Sequence, residues 1–331
     1  MRVSYKQANS FFSQLPAEQQ ALSLHPSYLK ADASRDQELE PIYWMYEDAG
    51  DCLYYGVHQS QIPGSDYFDL QSPYGYGGPQ ATSTKTEFLS KAWHAFNEDC
   101  REQGVVAEFV RFHPLLENWK YYQGTVLDDR ETVWIDLSQS DLLSNYSGRV
   151  RTAIKKSQKN DVTLSWVEKL DFVAFFPEFY RTEMKAIAAD EFYHFSDEYF
   201  ENLLEMENLK FAVCQKNKEV IAAAIFLFGQ DIIEYHLSCA NEFGKKHSAS
   251  NIMLHEAALL GKEEGRKRLY LGGGTAAGEN NPLFFFKRGF SKQRAAYKIG
   301  KVIHDKSKYK ELIELWPDKF EKNRNRILFY R

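Results

Sequence analysis

The sequence predicts an α/β protein made of two tandem units, each a mixed sheet with flanking helices. Three observations carry that expectation. The chain has 331 residues, beyond the commonest size of a single domain. Strand-like alternation and helix-like spacing of apolar residues follow one another along its length. The two halves also run through one order of elements: a hairpin, a helix stopped by glycine, a strand of basic and apolar residues, a loop, and a further strand. Gly104 with "VVAEFVRFHPLLENW" in the first half answers Gly265 with "RKRLYLGGG…NPLFFFKRGF" in the second. The expected domains are 1–140, a degenerate copy, and 141–331, which carries the site.

Each element has a local reason. "IYWMYEDAGDCLYYGVHQSQI" reads as a hairpin, with ring-rich strands about a turn at Ala49-Gly50-Asp51. "SDYFDLQSPYGYGGP" reads as a loop of glycine, proline and tyrosine. The helix that follows has apolar spacing at Phe88, Ala92, Ala95 and Phe96, and Gly104 stops it. "VVAEFVRF" is a strand that His113 and Pro114 end. "YYQGTVLDDRETVWIDL" suggests a second hairpin turning at Asp128-Asp129, and "SDLLSNYSGRVRTAIKKSQKND" a helix closing the first half.

In the second half "VTLSWVE" is a strand. Two helices are expected over Leu170–Asp190 and Ser196–Glu207. "KFAVCQKNKEVIAAAIFLFGQDIIEYHLSCA" reads as three consecutive antiparallel strands, with turns at residues 216–218 and 229–231. "SASNIMLHEAALLGKEEG" is a helix ended by Gly265, and "RKRLYLGGG" is a strand. A short helix, a strand over Arg294–Val302 and a helix over Lys306–Trp316 complete the chain.

Composition excludes several classes. A net charge of −5 provides no global field for nucleic acid, so DNA is not an expected partner and any anion site must be a local patch. Cys52, Cys100, Cys214 and Cys239 form no CxxC pair, so no metal site is expected, and scattered thiols fit a reducing cytosol. The start, "MRVSYKQANSFFSQLP", has neither a long apolar segment nor a cleavage pattern, so it does not read as a signal peptide. No stretch is apolar enough to span a bilayer. A cytoplasmic protein is expected, with peripheral membrane contact left open.

Several groups could carry chemistry. Gly272, Gly273 and Gly274 end a strand with bare backbone that a ligand could approach. Lys287 follows Phe284, Phe285 and Phe286, so a cation stands beside apolar walls. Such a cation, held away from water, could stabilise negative charge on a bound group. Arg288 reads as its solvent-facing neighbour. Strict alternation along "IIEYHLSCA" would place Glu234, His236 and Ser238 on one face, where Glu234 or His236 could accept a proton. Lys245, Lys246, His247 and Ser248 precede a helix N-terminus that would favour an anion. Arg149, Arg151, Lys155, Lys156 and Lys159 form a basic stripe, and Tyr74 and Tyr76 sit in a glycine-rich loop suited to clamping a sugar or peptide. No Ser-His-Asp or Cys-His pattern for covalent catalysis is evident.

Three strands, a loop, a helix, a strand and a helix form the order of the GNAT acyltransferase core. "SPYGYGGP", "RFHPLL" and "LGGGT…LFFFKRGFS", with the helical stretch from Glu178 to Leu204, resemble the FemABX-like branch of that superfamily, over about Ile42 to Gly300. The resemblance implies two GNAT units and transfer of an aminoacyl or acyl group to an amine of a cell-envelope or sugar precursor. It also implies that Phe286 and Lys287 lie at the transfer centre. Gly272 to Gly274, Lys245, Lys246, Ser248 and Asn251 would then hold the donor. Tyr74, Tyr76, Arg111, Arg151 and Lys155 would hold the acceptor, a small or nucleotide-linked precursor. No bound cofactor is implied, only an acyl donor as cosubstrate. Where acyl-CoA enzymes of the superfamily carry a Q/RxxGxG/A loop, this chain reads "NEFGKKHSASN", with Gly244 but no second glycine. Donors of both kinds, aminoacyl-tRNA and acyl-CoA, therefore stay open. The alternatives are an acyl-CoA-dependent N-acetyltransferase and a non-catalytic binding protein of the same fold.

Overall fold

A computed structural model describes residues 1–276, 278 and 281–331. The chain forms two compact units: residues 1–19, 23–129 and 296–331 make the first, and residues 20–22 and 130–295 the second.

The first unit opens with helices α1 (Tyr5–Gln14) and α2 (Pro26–Ala33). A capping box explains α1: the Ser4 side chain accepts from the Gln7 amide, and the Gln7 side chain reaches back to the Ser4 amide. The expected hairpin follows as β1 (Glu40–Asp48) and β2 (Asp51–Gln61), turning through Ala49 and Gly50 at positive φ. The stretch read as a loop contains β3 (Phe68–Gln71), and a two-residue β4 (Gln80–Ala81) pairs with β2. Helix α3 (Thr86–Glu102) stops before Gly104, at φ +71°, and leads into β5 (Val105–Arg111). An apolar cluster including Trp44, Tyr55, Trp93, Phe96 and Phe112 forms the core beneath α3.

Strand β6 is continuous over Thr125–Asp136, where a hairpin at Asp128-Asp129 was expected, because its far half pairs elsewhere. After Asp129 the chain is in the second unit. The single helix expected over 140–161 is two, α4 (Leu142–Asn145) and α5 (Gly148–Lys159), since Ser147 caps a new start by accepting from the Val150 amide. Strand β7 (Thr163–Val167) follows. The helix expected over 170–190 is split into α6 (Lys169–Val173) and α7 (Phe176–Ala186), with Pro177 in the first turn of the second. Helix α8 (Asp197–Leu204) precedes the three expected strands, β8 (Leu209–Lys216), β9 (Glu219–Phe228) and β10 (Ile232–Ala240). A short α9 (Glu242–Lys246), the long α10 (Ala249–Glu263), β11 (Arg268–Gly272) and α11 (Pro282–Lys287) complete this unit. Helices α5 and α10 bury Val150, Ile154, Met253 and Ala257 in one core, while Phe172 of α6 stacks between Phe176 and Phe211 in an aromatic layer. Strand β12 (Arg294–Ile303) and helices α12 (Lys306–Leu315) and α13 (Pro317–Lys322) end the chain.

The strands of the two units repeat one order. In the first, β1, β2 and β3 are successively antiparallel, β3 runs parallel to β5, and β12 lies antiparallel to β5. In the second, β8, β9 and β10 are antiparallel, β10 runs parallel to β11, and β6 lies antiparallel to β11. A parallel pair needs a crossover, and α3 and α10 supply it. The last strand of each order comes from the segment expected to serve the other half. The division at residue 140 is therefore corrected: residues 296–331 return to the first unit. Buried polar contacts hold them there. His304 Nε2 lies 3.1 Å from Glu108 Oε2 and its Nδ1 2.8 Å from Asn97 Oδ1, while the Tyr55 hydroxyl donates to Glu108 Oε1 at 3.1 Å. Arg331 donates to both oxygens of the buried Asp69, at 2.7 and 3.0 Å.

Candidate active site of the second unit

The parallel pairing of β10 and β11 spans only three rungs, Ile232 with Arg268, Ile233 with Leu269 and Glu234 with Tyr270. Beyond it both strands change register against their other neighbours, β10 between Tyr235 and Leu237 and β11 between Tyr270 and Gly272. Strand β10 then continues to Ala240 paired with β9 alone. The matching pair in the first unit stays stitched. Ser72 N donates to the Phe109 carbonyl at 3.1 Å, Arg111 N to Ser72 Oγ at 3.1 Å, and Gly77 N to the Arg111 carbonyl at 2.7 Å. The parting of parallel strands is a property of the second unit.

The bulge at His236 corrects the expected face. Tyr235 and Ser238 hydrogen-bond each other, so Ser238 turns to the side of Tyr235, whose ring packs 5.3 Å from Phe226 in the core. One inserted residue reverses the alternation. Glu234, adjacent to Tyr235, points to the opposite face and is buried. His236 Nε2 lies 3.5 Å from the hydroxyl of Tyr199 on α8.

Strand β11 ends at Gly272, with φ +78°, a conformation that glycine adopts without strain. Gly272 pairs with Val133, and the next two carbonyls each accept from a cation. Lys287 Nζ donates to the Gly273 carbonyl at 3.0 Å, and Arg130 Nη1 to that of Gly274 at 2.9 Å. A Cβ on Gly274 would fall 2.4 Å from Asn281 Oδ1. Asn281 in turn caps α11, accepting from the amides of Leu283 and Phe284 at 3.1 and 3.2 Å, and donates to Thr275 Oγ1 at 2.9 Å. Arg130, Asn281 and Lys287 thus frame one glycine turn. The sequence reading found only Lys287. Asn281 was visible as an N-cap before Pro282, but Arg130 carried no local signal.

Lys287 is 9% exposed, and burial lowers its amine from 10.5 to about 8. An ammonium has three donors, and Gly273 takes one. Of the three expected apolar walls, Phe284 is buried and Phe286 packs 5.5 Å from Phe290, but Phe285 turns outward at 46% exposure. Arg149 stacks over the Phe285 ring at 3.7 Å and Arg288 at 4.9 Å, so Arg288 is not simply a solvent residue.

The turn before α10 is helical. Asn241 caps α9 by accepting from the Gly244 amide at 2.8 Å. A Cβ on Gly244 would meet the Ile221 carbonyl oxygen at 2.1 Å, so this glycine is needed for packing against β9. Gly244→Ala is expected to destabilise the protein by about 1–3 kcal/mol, read as a lower denaturation midpoint. Lys245 pairs with Glu242 at 2.7 Å, Lys246 is exposed, and Ser248 sits at φ +60° without a side-chain capping bond. Asn251 lies half-buried in the first turn of α10.

Tyr74, Tyr76 and Arg111 belong to the first unit, Arg151 and Lys155 to the second. The Tyr74 amide donates to Asp32 at 2.9 Å and its carbonyl accepts from Tyr28 at 2.8 Å. The Tyr76 ring sits edge-on to His113, and Arg111 lies over Phe109. Arg151 donates to the Tyr146 carbonyl, and Lys155 is exposed. A concavity of about 400 Å³ in the first unit is lined by Glu38 and residues 61–66. Among the described residues no group of histidine, cysteine and carboxylate side chains could hold a metal ion.

Residues 144–288 match the family model of the acetyltransferase (GNAT) domain. FemX, whose crystal structure is known, is similar in fold: 12% identity, TM-score 0.71, with 95% of this chain and 99% of that one covered. The C-terminal domain (DUF2156) of a protein named as a lysylphosphatidylglycerol synthetase in Agrobacterium fabrum follows, with 13% identity, TM-score 0.61, and 96% of each chain covered. L-PGS from Bacillus licheniformis has 12% identity and TM-score 0.58, with 90% of this chain and 92% of that one covered. No curated protein matches the sequence significantly.

Proposed function

Starting from a chain with the fold of FemX that carries a GNAT-type acyltransferase domain over residues 144–288, we propose that it transfers an aminoacyl or acyl group to an amine of a cell-envelope or sugar precursor. The observation that carries this reading is the buried amine of Lys287, 3.0 Å from the Gly273 carbonyl, in the unit where β10 and β11 part. The acceptor amine attacks the donor carbonyl directly. Its proton passes to Glu234 or His236, which lie on the strand that parts from β11, and the tetrahedral intermediate then collapses, breaking the carbonyl carbon's bond to the donor's ribose oxygen or thiol sulfur, which leaves with a proton. Negative charge builds on the carbonyl oxygen, and the remaining donors of Lys287 stabilise it. Phe284 and Phe286 keep that charge away from water, which strengthens the interaction.

Two features bear on the donor. The match to the acetyltransferase domain favours an acyl-CoA donor. The helical turn Glu242–Lys246, in which Gly244 is committed to packing, favours a donor held otherwise, and aminoacyl-tRNA is the reading preferred here. Calorimetry with acetyl-CoA is expected to give no tight binding, and aminoacyl-tRNA is expected to support transfer to an amine acceptor. Tight acetyl-CoA binding with turnover would replace this reading by an acyl-CoA-dependent N-acetyltransferase. Absence of transfer from donors of both kinds would favour a non-catalytic binding protein.

A further inference from the structure

Helix α5 carries five cations and no acid in twelve residues: Arg149, Arg151, Lys155, Lys156 and Lys159. All five are exposed and lie opposite the buried Val150, Ile154 and Ser157. Several surface cations elsewhere meet a carboxylate, as Lys85 does Asp51 at 3.0 Å and Lys210 does Glu264 at 2.7 Å. Among the described residues none of the five α5 cations meets a carboxylate. The hydrogen bonds that they do make go to backbone carbonyls: Arg149 to Phe285, Arg151 to Tyr146 and Lys156 to Lys246. Two nearby acids are engaged elsewhere, Asp141 in capping α4 and Glu242 with Lys245. On a chain of net charge −5 this is a local exception.

Exposed apolar side chains border the same face. Leu143 on α4 precedes the helix, at 38% exposure. Leu283 and Phe285 on α11 are 39% and 46% exposed, and Phe285 is under Arg149. Phe243 on α9, beside Lys246, is 39% exposed. Unpaired cations around outward apolar groups are what an anionic bilayer interface selects: the charges meet the headgroups and the apolar side chains enter the acyl boundary. Nucleic acid fits less well. Arg149 stacked at 3.7 Å occupies a face of Phe285 that a base would need, and two of the four apolar groups are leucines, which provide no stacking surface.

We propose that the α5 face, with Leu143, Leu283, Phe285 and Phe243, docks this protein on an anionic lipid surface. The inference goes beyond the transfer reaction, and its test reads no acyl transfer. The full chain is sedimented with vesicles of equal parts phosphatidylglycerol and phosphatidylcholine, and with phosphatidylcholine alone, at low and at physiological salt. Binding to the anionic vesicles only, weakened by salt, is expected. Lys156→Glu combined with Lys159→Glu should weaken it on the order of thirtyfold or more, each cation near the surface contributing about fivefold. Phe285→Ser should remove the part that survives salt. Melting curves accompany each variant, and Lys156→Ala with Lys159→Ala is scored if the glutamates unfold the protein. No binding to anionic vesicles at either salt, equal binding to neutral ones, or binding of unfractionated tRNA in place of vesicles would each overturn the proposal.

Discussion

Lys287→Met is expected to lower kcat roughly a hundredfold or more, about 3 kcal/mol, with little change in donor affinity. In the proposed mechanism the charge that Lys287 meets appears mainly in the transition state, so its loss would be felt in rate more than in binding. Methionine retains much of the packing of the lysine stem against Phe284. The pH dependence separates the two roles an amine could play. Burial lowers Lys287 to about 8, so a cation acting on the oxyanion is lost as pH rises through about 8, and kcat should fall there. An amine acting as a base would produce a rise instead. Stability follows the same value with its own sign. The folded value lies below the unfolded 10.5, so the penalty for burying the charge is fully present below about 8 and fades as pH rises towards 10.5. Lys287→Met should therefore melt no lower than the parent at neutral pH. Steady-state rates across pH and a melting curve check both statements. Unchanged kcat would reduce Lys287 to a packing residue of the turn.

His304→Ala is expected to destabilise the first unit by about 3–5 kcal/mol. Glu108 and His304 are both buried, and the imidazole supplies one of the few partners of a carboxylate enclosed by β5, α3 and the returning C-terminal segment. Removing the ring leaves that carboxylate with hydroxyl donors only, and it also frees an anchor of β12. A double variant, His304→Ala with Glu108→Leu, should recover much of the loss, because replacing both members of a buried pair costs far less than orphaning one. Urea denaturation of the two variants reads the difference. A single variant with an unchanged midpoint would show that the C-terminal segment is held by its apolar contacts, Tyr309, Leu312 and Phe329 among them.

What could be read without coordinates was local. The three antiparallel strands from Leu209 to Ala240 lie where their alternation and turns placed them, because period and turn chemistry are set by neighbours in sequence. Gly104 and Gly265 stop their helices at positive φ, as glycine there allows. The same holds for a strand ending at three glycines and a short helix after it. Burial of that lysine was legible as well, from the phenylalanines before it.

The rest depended on partners far along the chain, and only the tertiary structure decided it. Asp128-Asp129 has the composition of a turn, yet β6 runs straight because Val133 to Asp136 pair with β11, more than a hundred residues on. The C-terminal strand likewise left its expected half because β5 and the buried Glu108 lie in the other. Glu234, His236 and Ser238 keep alternate spacing in sequence, but a bulge against β9 turned Ser238 to the core, and no spacing rule reports an inserted residue. Phe285 could not be told from Phe284 and Phe286 by type. It was turned outward by helical geometry and received Arg149 from α5. Gly244 resembled half of a phosphate-binding loop until the Ile221 carbonyl proved to lie where its Cβ would be. Arg130 joined the glycine turn only because the strand exchange brought β6 beside β11. Local propensity named most of the elements. Pairing at long range, which a sequence window does not contain, chose their partners and their exposed faces.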